Sequence, residues 1–171
     1  MRSSQDVLGL PIVAVSSGKQ LGIVRDLLFD DRQRLFGLLV ESKSWIKRRR
    51  YIPREHIVSF GPDAVTVDSE DAVETLEETY DEVVGVCSGK HKLKGLPVLT
   101  VTGSELGRLE NVYFLEEMGT LIGYELTDGF LTDLKEGRKT LHPAERLTWG
   151  DDALIVPGDV TPESTPVSDR K

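Results

Sequence analysis

The stretch Lys43-Ser44-Trp45-Ile46-Lys47-Arg48-Arg49-Arg50-Tyr51 brackets four consecutive cations with two aromatic residues. Aromatic faces stack on bases while Lys and Arg hold phosphates, so this combination suits single-stranded nucleic acid. It suits protein contact as well, because Trp, Tyr and Arg dominate the energetics of interfaces. Trp45, Ile46, Lys47, Arg48, Arg49, Arg50 and Tyr51 are therefore the expected partner-binding residues, on a protruding hairpin. A later stretch, Asp128 to Lys139, keeps an aromatic and an aliphatic residue, Phe130 and Leu131, but not the charge run. These two are the expected counterparts.

Other chemistries find weaker support. His56, His91 and His142 are the only histidines, and no His-x-x-x-His or Cys-x-x-Cys spacing frames a zinc site. Cys87 and His91 lie four apart, but Lys90 and Lys92 beside them repel a metal ion. Asp30-Asp31, Glu116-Glu117 and Asp151-Asp152 each fall at an expected hairpin tip, where such residues favour turns and solvation. Gly18-Lys19 and Gly89-Lys90 lack both the preceding glycine and the following Ser/Thr of a phosphate loop. No catalytic residue, no cofactor-binding residue and no metal ligand is assigned, and the expectation is a protein that is not an enzyme.

The elements that must position the basic stretch occur twice. Gly9-Leu10-Pro11-Ile12 returns as Gly95-Leu96-Pro97-Val98, Leu21-Gly22 with Asp26 as Leu106-Gly107 with Asn111, and Leu35-Phe36-Gly37 as Leu121-Ile122-Gly123. Ile52-Pro53-Arg54-Glu55-His56-Ile57 returns, slid by one residue, as His142-Pro143-Ala144-Glu145-Arg146-Leu147. Gly61 to Val67 returns as Gly150 to Val156. A repeat this long marks two copies of one domain rather than a solenoid of short units. What recurs is turn glycines and apolar strand positions, not a set of catalytic side chains.

Within the first copy, strands are predicted at Pro11–Val15, Leu21–Phe29, Leu35–Glu41, Arg50–Pro53 and Ala64–Val67, with a helical turn over Arg54–Val58. The second copy predicts Pro97–Thr102, Leu106–Leu115, Leu121–Thr127, Lys139–His142 and Ala153–Val156. Gly37 and Gly123 sit inside strand-like runs, which calls for a sharp bend or a close backbone approach. Short strands with glycine at the turns indicate an all-β protein of two small antiparallel barrels. Copies this small survive by closing the sheet, by leaning on a twin or by dimerising, so a homodimer stays open.

Charge is unevenly distributed under the net −8. Residues 1–67 carry 11 Lys/Arg against 7 Asp/Glu, whereas residues 68–82 carry eight acids and no base. Between the copies, over Asp68–Lys94, Val73, Leu76, Tyr80 and Val83 recur at helical spacing, predicting a short amphipathic helix over Glu70–Val84. The resulting organisation is a first barrel at 6–67, an acidic helix and loop linker at 68–94, a second barrel at 95–157 and a disordered tail at 158–171. The tail expectation rests on its Pro, Ser, Thr and Asp content. No apolar run approaches the roughly 20 residues that span a bilayer, so no integral membrane segment is expected. A single cysteine forms no internal disulfide, and a cytoplasmic location is expected.

The doubled pattern resembles the PRC-barrel family, small β-barrels known from the photosynthetic reaction-centre H subunit and from a ribosome-maturation factor. The first copy carries its marks at Leu21-Gly22-Ile23-Val24-Arg25-Asp26, Ile52-Pro53-Arg54-Glu55-His56-Ile57 and Gly61-Pro62-Asp63-Ala64-Val65. The second copy departs with Asn111 for the aspartate and Leu141-His142-Pro143 for the isoleucine-proline step. The resemblance implies a fold and a docking mode of work, with no shared catalytic residues. The leading functional expectation is a non-enzymatic protein–protein interaction or assembly adaptor whose partner the sequence does not identify. The alternative is an RNA- or ribosome-associated maturation factor using the basic aromatic loop, and a third is attachment to a membrane surface.

Overall fold

The computed structural model describes residues 1–41, 49–76, 82–143, 146–158 and 162–164. They form two units: Met1–Lys92 together with the hairpin tip Phe114–Leu121, and Leu93–Tyr113 together with the chain from Ile122 onward.

The first unit opens with β1 (Arg2–Ser3) and a single helical turn, α1 (Ser4–Val7). Ser3 caps this turn by accepting from the Asp6 amide, while the Asp6 carboxylate accepts from the Ser3 amide. There follow β2 (Pro11–Ala14), β3 (Gln20–Phe29), β4 (Leu35–Glu41), β5 (Arg50–Pro53), a 3₁₀ turn at Arg54–His56, β6 (Ile57–Phe60), β7 (Val65–Val67), β8 (Glu74–Thr75) and β9 (Val84–Gly85). The strand order is β6-β7-β2-β3-β4-β5-β8, with β9 pairing β3. Five of these strands fall where the residue pattern places them. The sheet is mixed rather than purely antiparallel, because β2 and β7 run parallel. The β6–β7 hairpin, closed by the Gly61 amide donating to the Ala64 carbonyl at 2.9 Å, returns the chain in the β2 direction. That hairpin includes β6, which the residue pattern does not place, while the helical turn expected over Arg54–Val58 forms as the 3₁₀ turn Arg54–His56 and stops two residues short.

Alternation in β2 buries Ile12 and Ala14, and Leu27, Phe29, Leu38, Ile52, Val65 and Val67 join them without exposure. Burying a large aliphatic or aromatic side chain contributes roughly 1.5–3 kcal/mol, so this set is the main source of the unit's stability. Gly37 shows why glycine stands inside β4: a Cβ there would fall on the Ile52 carbonyl oxygen of the paired β5. The close approach is the reason for the glycine.

No α-helix forms among the described residues of the 68–94 segment, which corrects the predicted connecting helix. A 3₁₀ turn occupies Glu70–Ala72, β8 pairs β5, and β9 pairs the end of β3, while 77–81 lie outside the described residues. The helical spacing of apolar residues has another cause. Leu76 and Val83 anchor this strap by packing with Leu28 and Leu39, and Phe36 and Tyr51 cover the cluster. Pairing with existing strands satisfies the backbone without forcing the eight acids onto one helix.

The second unit repeats the plan with β10 (Pro97–Thr100), β11 (Glu105–Leu115), β12 (Thr120–Thr127), α2 (Phe130–Glu136), β13 (Lys139–Leu141), β14 (Thr148–Trp149), β15 (Leu154–Val156) and β16 (Glu163–Ser164). Its order, β14-β15-β10-β11-β12-β13-β16, matches the first unit strand for strand, including the parallel β10–β15 pair. β16 pairs β13 as β8 pairs β5. The repeat therefore extends past Val156, and Glu163–Ser164 belong to the sheet rather than to a disordered tail.

Candidate functional site

In sequence the basic stretch lies between β4 and β5 and runs into β5. Trp45, Ile46, Lys47 and Arg48 lie outside the described residues, whereas Arg49, Arg50 and Tyr51 are placed. Arg49 is exposed, and its carbonyl accepts from the Leu76 amide at 2.8 Å. Arg50 and Tyr51 enter β5 and pair with Thr75 and Glu74. The Tyr51 ring stacks on Phe36 with centroids 5.4 Å apart, and its hydroxyl donates to Glu74 at 3.2 Å. Burial, then the Glu74 hydrogen bond and the nearby carboxylates, raise the Tyr51 hydroxyl above its ordinary 10.0. Tyr51 thus anchors the hairpin base, and Arg49 is the expected binding residue that stands outward beside the basic run.

The second-copy counterparts lie on a helix. Phe130 and Leu131 begin α2, between Gly129 at φ 110° and Gly137 at φ 77°. Asp133 ties the helix down: its carboxylate accepts from the Thr127 hydroxyl at 2.5 Å and the Asp128 amide at 3.3 Å. The two copies differ in charge at this position.

The Asp26/Asn111 step reveals two separate polar devices. Asp26 is fully buried, and its carboxylate draws in the strap after β9. Oδ1 accepts from the Leu27 amide at 2.9 Å and the Cys87 amide at 3.1 Å. Oδ2 accepts from the Cys87 amide at 3.1 Å, the Ser88 amide at 2.9 Å and the Ser88 hydroxyl at 2.7 Å. Burial raises the Asp26 carboxyl above its ordinary 3.8, against the opposing pull of these donors. In the second unit, Asn111 instead donates to Glu125 at 3.2 Å. Glu125 also accepts from Tyr113 at 2.8 Å and Arg138 at 2.7 Å. Burial acts to raise the Glu125 carboxyl, but Arg138, Tyr113 and Asn111 outweigh it and hold the group below 4.5. Nothing in the local sequence links Asp26 to residues 61 and 62 positions away.

A groove of about 540 Å³ lies beside β6, lined by its four residues, by Arg54 and Glu55, and by Glu116 and Glu117 of the hairpin tip in the same unit. β6 ends the strand order, so its outer edge carries no further strand among the described residues. Its register slips between Ile57 and Ser59, and the intervening Val58 is 56% exposed. Phe60 meets Phe114 edge-on at 5.3 Å, and Arg2 donates to the carbonyls of Phe60 and Gly61. Arg54 turns its guanidinium onto the tip, donating to the Glu117 carbonyl at 3.2 Å. The Met1 ammonium pairs with Glu116 at 3.2 Å, while Glu55 and Glu117 make no salt bridge among the described residues. An exposed valine on a terminal strand is the sequence-level signal for this groove, and it is legible only once β6 is recognised as a strand.

His56 faces Asp68, with Nδ1 2.8 Å from Oδ2. That hydrogen bond, with the surrounding carboxylates, raises the imidazole above 6.5 despite partial desolvation. Among the described residues no cluster of His, Cys, Asp and Glu could hold a metal ion, and no helix is long and apolar enough to cross a membrane.

Comparison with known proteins agrees with the doubled architecture. An uncharacterised protein of Bacillus subtilis strain 168, YrrD, is 25% identical over 148 residues, covering 86% of this chain and 82% of that one. The PRC-barrel domain matches residues 1–73 and again residues 88–160. The same strand order in both units, the paired glycines and this double match have one explanation: the chain belongs to the PRC-barrel family, with two such domains in tandem.

Proposed function

We propose that the protein is a non-enzymatic cytoplasmic adaptor or assembly factor that grips a protein partner with the basic end of its β4–β5 hairpin. The observation that carries this reading is the division of labour at Arg49 and Tyr51. Tyr51 is locked between Phe36 and Glu74, which makes a firm base, whereas Arg49 stands exposed at the edge of a run of cations and apolar residues. A firm base beside Arg49 limits the ordering cost of binding, and Arg and Trp are the residue types that dominate interfaces. Asp26 and Glu125, both heavily hydrogen-bonded carboxylates, serve to hold chain segments together, which supports a structural rather than catalytic use.

The test is crosslinking and affinity capture from native extract, comparing wild type with Trp45→Ala/Arg49→Ala, each with and without ribonuclease. Tyr51 is left intact because its removal would loosen the hairpin itself. A discrete protein lost in the variant and indifferent to ribonuclease supports the adaptor. Ribosomal components lost on ribonuclease treatment replace it with the RNA reading, and unchanged capture removes this hairpin as the site.

A further inference from the structure

The groove beside β6 and the cationic hairpin end belong to the same unit and are complementary. The groove offers an open strand edge, exposed Val58, the Phe60 ring, and the carboxylates Glu55 and Glu117 without salt-bridge partners among the described residues. An open edge of this kind accepts an extended segment by backbone pairing, with side-chain chemistry setting which segment is taken. The segment it fits has cations for the rim and bulky apolar groups for Val58 and Phe60. Lys43 to Arg49 has both: Lys43, Lys47, Arg48 and Arg49, with Trp45 and Ile46. Within one chain, β5 separates that segment from the 3₁₀ turn at the groove, a span of about 13 Å at strand rise.

We propose that the Lys43–Arg49 segment of one copy docks as an added strand along β6 of a second copy, with its cations against Glu55 and Glu117. The proposal is separate from the adaptor reading, since partner capture can succeed where self-association fails. The contact joins two unlike surfaces, so it is completed twice in a closed pair or serially in a chain of copies. The second unit is not expected to act in the same way. Its terminal strand β14 has two residues, and Trp149 there donates its indole N–H to Tyr124 at 3.0 Å.

Sedimentation velocity of the purified full chain tests this across a concentration series at about 50 mM and about 500 mM salt. Wild type is expected to associate at low salt and to dissociate as salt rises. Glu55→Lys/Glu117→Lys and Lys47→Glu/Arg48→Glu are each expected to shift half-association at least about tenfold upward in concentration. Both pairs reverse charge, and an unchanged thermal midpoint verifies folding. An equimolar mixture of the two variants should regain association, because the unaltered groove of one then meets the unaltered cationic loop of the other. A monomer under all conditions, variants that associate like wild type, or a mixture that stays dissociated would each overturn the proposal.

Discussion

Replacing Asp26 by Asn tests whether the buried carboxylate holds the strap at Cys87 and Ser88. Five hydrogen bonds from three amides and one hydroxyl converge on its two oxygens, and Asn exchanges one of those oxygens for a donor. The Ser88 hydroxyl can turn to accept, but at least one buried amide, of Leu27 or Ser88, then faces an N–H. An orphaned buried donor costs about 1–3 kcal/mol. Relief from burying a charge offsets part of this, leaving an expected loss of about 1–2 kcal/mol at neutral pH. For a chain of this size that is a fall of about 2–8 °C in thermal midpoint. The pH dependence has a definite direction. Because the folded carboxyl titrates above its ordinary 3.8, wild type loses stability as pH rises through that window, and Asn does not. The variant's deficit is therefore largest below pH 3.8 and narrows above it. Urea unfolding at several pH values measures the deficit, and amide exchange at Cys87 and Ser88 localises it. A variant as stable as wild type, with both amides equally protected, would refute this reasoning.

Gly37→Ala should destabilise the first unit by about 2 kcal/mol, read as a lower urea midpoint, since its Cβ must displace the Ile52 carbonyl across β4–β5. Glu125→Gln should remove an acid-sensitive component: with the carboxyl held below 4.5, its stabilisation is present above that value and lost as pH falls through the folded value. Comparing unfolding midpoints of variant and wild type from neutral to acid pH measures it. The His56–Asp68 pair behaves oppositely, because a raised imidazole stabilises below 6.5 and its contribution is lost as pH rises through the folded value. Asp68→Asn should flatten that slope, and an NMR titration of His56 should show a lower midpoint.

The strands of both copies are legible because apolar alternation and glycine spacing are local signals. β3 and β4 begin and end within a residue of the expected positions. Direction of pairing is not local, so the parallel β2–β7 and β10–β15 pairs leave no trace in the pattern. The strap after β7 misleads for a physical reason: Leu76 and Val83 anchor an irregular segment to Leu28 and Leu39, and their spacing coincides with a helical period. β6 is short and partly exposed, so Ile57 to Phe60 lacks a distinct alternation and the groove beside it stays hidden. The groove also requires Glu116 and Glu117, about 60 positions away. The basic run is conspicuous in sequence, but only the structure separates Tyr51, a packing residue, from exposed Arg49.

The most direct measurement of the central claim is calorimetric titration of the captured protein partner into the purified chain and into Lys47→Glu/Arg48→Glu. An adaptor that grips through this hairpin should bind at least about tenfold more weakly after charge reversal, a loss of about 1.4 kcal/mol. Equal affinity of the two proteins for that partner would contradict it.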